Sequence, residues 1–241
     1  MSSRRDLKNE VVEFLKGDIS GGFGPLLTRP ARLLINPLFS AICHPLERVR
    51  WHAVSAFGVV VSKLADENLE EARVVMRRLL WSLNDESGGI GWGAPESMGE
   101  ILAQSEALRR EYLHMLLSYM QEDGEELFQD GNYLELPMLQ RALLWGLGRV
   151  AECFPELMRQ QIHLPDLCWY LESPDRQVAA LALRLYKLIG VNPGAKMLAL
   201  FTHDQTLEFY SAGIIESVKI ATLVAEVNAL PESTFYHERK V

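Results

Sequence analysis

Apolar residues recur along this chain in steps of three and four, the spacing that lays side chains along one face of a helix. Residues 5–16 set the pattern with Leu7, Val11, Phe14 and Leu15. The next stretch, 17–25, holds Gly17, Gly21, Gly22 and Gly24 and ends that helix. In the segment from Pro30 to Cys43, Asn36 reads as an N-cap and Pro37 as the first-turn residue of a fresh helix. Helix-sized segments then come in pairs: 36–43 with 45–64, 69–84 with 95–104, 106–121 with 134–152, and 156–172 with 174–190. A fifth pair is expected from 194–203 and 206–229. Strand signals are scarce, so the predicted class is all-α.

The second members of these pairs share a pattern. Counted from Pro45 and Pro174, offset four is Val49 or Val178, offset eight is Ala53 or Ala182, and offset twelve is Phe57 or Tyr186. These offsets fall on one helix face, and a small residue at its middle lets a neighbouring helix approach closely. Two weaker copies start at Pro95, with Gly99 and Ala103, and at Leu134, with Met138, Ala142 and Gly146. The starts at 45, 95, 134 and 174 are 50, 39 and 40 residues apart. Helix pairs at a period of about 40–47 residues mark helical arrays.

The segments at Pro45 and Pro174 resemble the second helix of HEAT-like repeats, which reads Asp-Pro, then Val-Arg, then spaced alanines. Val49-Arg50 with Ala53 match in one copy, and Pro174-Asp175 with Val178 in the other; the middle copies lack Val-Arg. The whole chain is similar to small bacterial HEAT-repeat proteins of the phycobilin-lyase type. The resemblance implies a single right-handed α-solenoid of four to five HEAT-like antiparallel helix pairs. In that reading residues 1–241 form one domain, with 1–35 as an N-terminal cap, 36–230 as repeats and 231–241 as a tail. Such arrays serve as binding scaffolds of many kinds.

Composition narrows the picture. With 48% hydrophobic residues, 241 residues can bury a large core. No apolar run reaches 18 residues, so no membrane-spanning helix is expected. The N-terminus leads into an amphipathic segment, and Arg4-Arg5 lacks the apolar stretch that a twin-arginine signal needs. A cytoplasmic protein is expected. Cys43, Cys153 and Cys168 are isolated and odd in number, which argues against a disulfide framework; their apolar contexts predict core packing. The net charge of −8 argues against a broad nucleic-acid surface.

The stretch from Asp85 to Glu96 departs from the pattern. It joins a first helix to a second and spends Gly88, Gly89, Gly91 and Gly93 on a connection that needs two to eight residues. Glycine is costly in ordered backbone and suits positive φ or close approach. Trp92 sits among these glycines, with Asp85, Glu86 and Glu96 beside it and Glu100 one turn further along the helix. These nine residues form the candidate partner-binding site. The structural alternative is an elbow that packs Trp92 into the array. As a calcium loop the stretch fails: its sixth position is Ile90 and its fifth is Gly89. No Gly-Lys-Ser/Thr follows, which excludes a P-loop.

Other candidates carry less. The acidic loop 122–130 would stack on the same edge and attract a basic segment. Glu111 and His114 have the spacing of one half of a di-iron site, but no other histidine follows a glutamate in that way. Trp145 with Arg149, and Trp51 with Arg48, share helix faces as a helical-repeat DNA glycosylase would require, yet the chain is acidic. The expected function is therefore non-catalytic binding of another protein, with a basic segment as the expected partner. It would use the second-helix face and the glycine-loop edge. No metal or cofactor is implied. The competing readings are an enzyme of the repeat-lyase or glycosylase kind and a small-ligand pocket under the glycine loop.

Overall fold

The computed structural model describes residues 4–84, 91–121, 132–201 and 205–231. In chain order its elements are α1 (Arg4–Lys16), α2 (Gly24–Leu27), α3 (Ala31–Ala41), α4 (Glu47–Glu67), α5 (Leu69–Leu83), α6 (Ala94–Gln104), α7 (Glu106–Ser118), α8 (Pro137–Cys153), α9 (Pro155–Gln161), α10 (Leu164–Leu171), α11 (Arg176–Leu188) and α12 (Ala195–Leu198). The strands β1 (Thr206–Ser211) and β2 (Ile214–Lys219) and the helix α13 (Ile220–Asn228) follow. Among the described residues the chain is all-α apart from one hairpin, and it is laid down as consecutive helix pairs.

Two compact units are present. The first holds Met1–Leu113 with Tyr210–Ile214, and the second holds His114–Phe209 with Ile215–Val241. In the first unit, α4 packs on α3, α5 and α6. Its side facing them is apolar: Val49, Ala53, Phe57, Val60 and Val61 have no exposed surface. Gly58 explains how closely α6 comes. A Cβ there would stand 2.3 Å from Gln104 Nε2 and 3.1 Å from the Glu100 carbonyl oxygen. His52, buried in α4, meets the Leu15 carbonyl with Nδ1 at 2.8 Å and ties α1 to the same helix. Arg78 of α5 lies 3.8 Å from the centroid of Phe39, which meets Phe57 edge-on at 5.1 Å.

The second unit repeats the device. α8 and α11 pack together, and α10 packs on α11. Gly148 is the point of close approach: a Cβ would lie 2.7 Å from an Arg184 guanidinium nitrogen. Arg184 is nearly buried and pairs with Glu152 one helix away. Burial pulls its pKa down, and the Glu152 carboxylate opposes that shift. Asp175 starts α11 as an N-cap, accepting from the amides of Gln177 and Val178 at 3.0 Å each. Ala53, Ala103, Ala142 and Ala182 are all buried.

Several expectations need correction. Pro37 lies inside α3 and does not open a helix; the chain enters α3 after Pro30. Asn36 therefore is no cap, and its Oδ1 accepts instead from Arg78 at 2.7 Å. The segment 156–172 is two helices, α9 and α10, because Pro165, in the first turn of α10, has no amide N–H to donate back to the Gln161 carbonyl and continue α9. The second half of the expected fifth pair is mostly a hairpin. Thr206, Phe209, Tyr210, Ile214, Ile215 and Val218 are β-formers, and Ala212-Gly213, at φ 47° and 95°, make a two-residue turn. At its tip Tyr210 stacks on Trp51 with centroids 5.0 Å apart. The cysteines are not core residues: Cys43 and Cys153 are exposed and Cys168 is half-buried. The two exposed ones lie at helix ends, where local apolar context does not guarantee cover.

No described helix is long and apolar enough to cross a membrane. The helix contacts make two substitutions informative. Ala182→Arg places a charge where no surface is exposed, at a cost of several kcal/mol for an unpaired buried charge. Gly58→Val overpacks the α4–α6 contact, at about 1–3 kcal/mol. Urea denaturation should show both midpoints lowered, with Ala182→Arg the worse; a wild-type midpoint for either would show that its contact is loose.

Candidate functional site

The connection between α5 and α6 is described from Gly91 onward. Asp85, Glu86, Gly88 and Gly89 lie outside the described residues, as does the acidic loop 122–130. The remaining five candidates, Gly91, Trp92, Gly93, Glu96 and Glu100, all fall in the first unit.

Two glycines have specific steric reasons. Gly91 is buried against the end of α5: a Cβ there would meet Leu83 Cδ2 at 2.6 Å and the Ser82 carbonyl oxygen at 2.9 Å. Gly93 is the N-cap of α6 with φ 70°, a left-handed conformation, and a Cβ there would stand 2.9 Å from Ile42 Cβ. Two backbone bonds close the turn: Ala94 N–H donates to the Gly91 carbonyl and Ser97 N–H to that of Gly93, each at 3.0 Å. The backbone on either side of Trp92 is thereby pinned. The indole itself is not packed away: Trp92 is 48% exposed. It is not a core plug.

The acidic residues behave differently from an exposed rim. Glu100 is only 6% exposed and accepts from Gln104 Nε2 at 3.0 Å. Glu96, in the first turn of α6, keeps one carboxyl oxygen wholly enclosed without a hydrogen-bond partner, as does the Ser97 hydroxyl. Burial pushes the Glu96 carboxyl up to about 7, against the weaker pull of its own amide and of the Arg50 charge. A group that shares its proton near neutral pH supplies only part of a negative charge. Of the acids chosen from the sequence, Glu96 and Glu100 therefore serve α6 internally.

One tryptophan outside the candidate site, for which the sequence predicts core or rim packing, is the more exposed. Trp81, in the last turn of α5, is 72% exposed. The buried stripe of α5 runs through Ala72, Val75, Met76, Leu79 and Leu80. Trp81 falls off it, as does the exposed Val74 seven residues before. A helical projection of 69–83 contains that signal. The other tryptophan candidates are engaged: Trp145 is buried and Trp51 is stacked on Tyr210. Arg149, the basic partner proposed for Trp145, is bound to Glu152 and to the Cys153 sulfur. Glu111 holds Arg73 through two bonds of 2.6 and 2.8 Å. Among the described residues no group of three or more His, Cys, Asp and Glu side chains is placed to hold a metal.

No family model matches the chain. It is 25% identical over 201 residues to a protein of Archaeoglobus fulgidus described as uncharacterized, covering 79% of this chain and 93% of that one. Similar solved structures include a crystal structure of an engineered protein, with TM-score 0.44, 14% identity, and coverage of 83% of this chain and 78% of that chain. A designed armadillo repeat protein in complex with the peptide (KR)4 has TM-score 0.43, 16% identity, and coverage of 80% and 77%.

Glu96 makes a pH test possible. Its folded pKa of about 7 lies above the ordinary 4.5. The folded state therefore binds the proton more tightly, and the stability this confers is full below about 4.5 and lost as pH rises through 7. Wild type should lose ~1–3 kcal/mol between pH 5 and pH 8 from this group, at ~1.4 kcal/mol per pKa unit. Glu96→Gln should remove that slope in denaturation curves taken across the range; an unchanged slope would show that the carboxyl is solvated.

Proposed function

We propose that this protein is a non-catalytic scaffold that binds another protein through the α5–α6 elbow. The carrying observation is Trp92: a large aromatic, half in solvent, on a turn whose flanking glycines are sterically fixed. A rigid exposed tryptophan fits an interface anchor, since it buries much area at little entropic cost. Trp81, on the helix that leads into the elbow, supplies a second exposed indole of the same kind.

The second-helix face offers less surface for a partner. α6 buries nearly every residue from Ala94 to Ala103, and α11 every residue from Val178 to Tyr186. That burial moves the proposed contact to the connecting edge. Asp85 and Glu86, between the two tryptophans in sequence, are the carboxylates that would draw a basic segment and make its binding weaken with salt. The proposal treats the chain as one helical array in the cytoplasm, without metal or cofactor. The glycosylase alternative is disfavoured because Trp145, its best aromatic, has almost no exposed surface.

The test compares intact protein with Trp92→Ala and with Trp81→Ala. Both should melt within a few degrees of wild type, because neither indole fills the core. Affinity capture from the native extract should yield a partner with wild type and lose it with Trp92→Ala. The reading fails if Trp92→Ala costs the ~3–5 kcal/mol of stability that truncating a buried aromatic does, with a matching fall in melting temperature, while the folded fraction still captures the same protein.

A further inference from the structure

The second unit carries a cleft of about 470 Å³, within the range of ligand pockets. One wall is the segment that leads into α8, with Tyr133 and Glu135; the other is α10, with Asp166, Trp169 and Tyr170. Glu172 and Gln140 of α8 also line it. Tyr133 and Tyr170 face each other with centroids 6.5 Å apart, and the Tyr170 hydroxyl is fixed by donating to the Met120 carbonyl at 3.1 Å. Trp169 is 45% exposed, so the cleft offers an indole surface to an incoming group.

The hydrogen-bonding capacity of this cleft is one-sided. Three carboxylates line it, and no lysine or arginine is among its described lining residues. Gln140 is only 7% exposed, and its Nε2 donates to Tyr133 Oη at 3.1 Å and to the Leu134 carbonyl at 2.9 Å. A carbonyl can only accept, so Leu134 fixes which end of the amide is nitrogen. Both Nε2 protons are thereby used, and no donor among the described residues reaches the Gln140 Oε1. At the rim Asp166 meets His163 Nδ1 at 3.0 Å through one of its oxygens. The nearest arginine in sequence, Arg141, is held by Asp175. The Gln140 carbonyl, beside three carboxylates and three aromatic rings, suits a ligand rich in donors, positively charged and flat.

We infer that this cleft binds a guanidinium group. Five N–H donors in a planar fork match the carboxylates and the Gln140 carbonyl, and the same plane stacks on an indole or phenol. An ammonium meets the charge but neither the fork nor the stacking, and it is more strongly hydrated. The group could be presented by an arginine in a peptide or by a small free guanidine. The site lies wholly in the second unit and shares no residue with the elbow.

Titration calorimetry on the intact protein tests this with four probes: the blocked tripeptide acetyl-Gly-Arg-Gly-amide, its citrulline counterpart, its lysine counterpart, and agmatine. Citrulline keeps the shape and removes the charge. The arginine peptide should bind, the citrulline peptide at least about tenfold more weakly, and the lysine peptide in between. Trp169→Ala and Glu172→Gln are changes at exposed positions; each should weaken the arginine peptide by about tenfold with unchanged melting temperature. Trp92→Ala should bind it as wild type does, so failure of the elbow reading leaves this one standing. Agmatine binding as tightly as the peptide identifies a free guanidine as the source; tighter peptide binding identifies a protein. The inference is overturned if citrulline binds as well as arginine, if no guanidine binds at millimolar concentration, or if both cleft variants bind like wild type.

Discussion

A helix can take a neighbour's atoms against its own backbone only where it carries no side chain at the contact. That constraint organises both units. In the first, the missing side chain of Gly58 lets α4 accept the Glu100 carbonyl and the Gln104 amide of α6 almost in contact. In the second, Gly148 makes room for the Arg184 guanidinium, which reaches Glu152 on α8. The alanines at 53, 103, 142 and 182 are buried in the same helices. Small residues at the contacts let large ones interdigitate around them, and Phe57, Met98, Ile101 and Leu102 fill the first unit in this way.

The close packing has a consequence for function. Helices that bury nearly all their surface leave little for a partner, so both surfaces proposed for recognition lie on connections and rims. The elbow before α6 and the cleft beside α10 are both of that kind. In each, buried neighbours hold the backbone and an indole stays in solvent. Trp92 is carried by glycines locked against Ser82 and Ile42, and Trp169 by a helix whose Leu167, Tyr170 and Leu171 are buried. Rigid support of an exposed aromatic is what keeps the entropic cost of binding low.

The polar residues make the same point about context. Glu96, Glu100 and Glu111 are all glutamates on helices, and along the chain nothing separates them. Folded, Glu96 has an enclosed oxygen and shares its proton near pH 7, Glu100 accepts from a glutamine one turn away, and Glu111 holds Arg73. Burial penalises the charged form, while a guanidinium favours it. Which applies depends on neighbours tens of residues distant. For that reason the acid cluster around Trp92 read as one rim in the sequence and divides into different roles in space.

Helical periodicity is a local property, and it determined the all-α class, the order of most helices between 36 and 190 and the small-residue face of the second helices, while the concentration of glycine marked the turn before α6. The same local reading mistook Pro37 for a helix start and the 206–219 hairpin for a helix, because a preferred first-turn residue and a run of apolar groups are compatible with more than one backbone. Tertiary structure decided which face of each element is covered. It exposed Trp81 and Trp92, buried Trp145 and Glu100, left Cys43 and Cys153 uncovered, and assembled the cleft from segments between residues 120 and 174. Cover is supplied by non-local neighbours, and spacing along one helix does not say which neighbour will arrive.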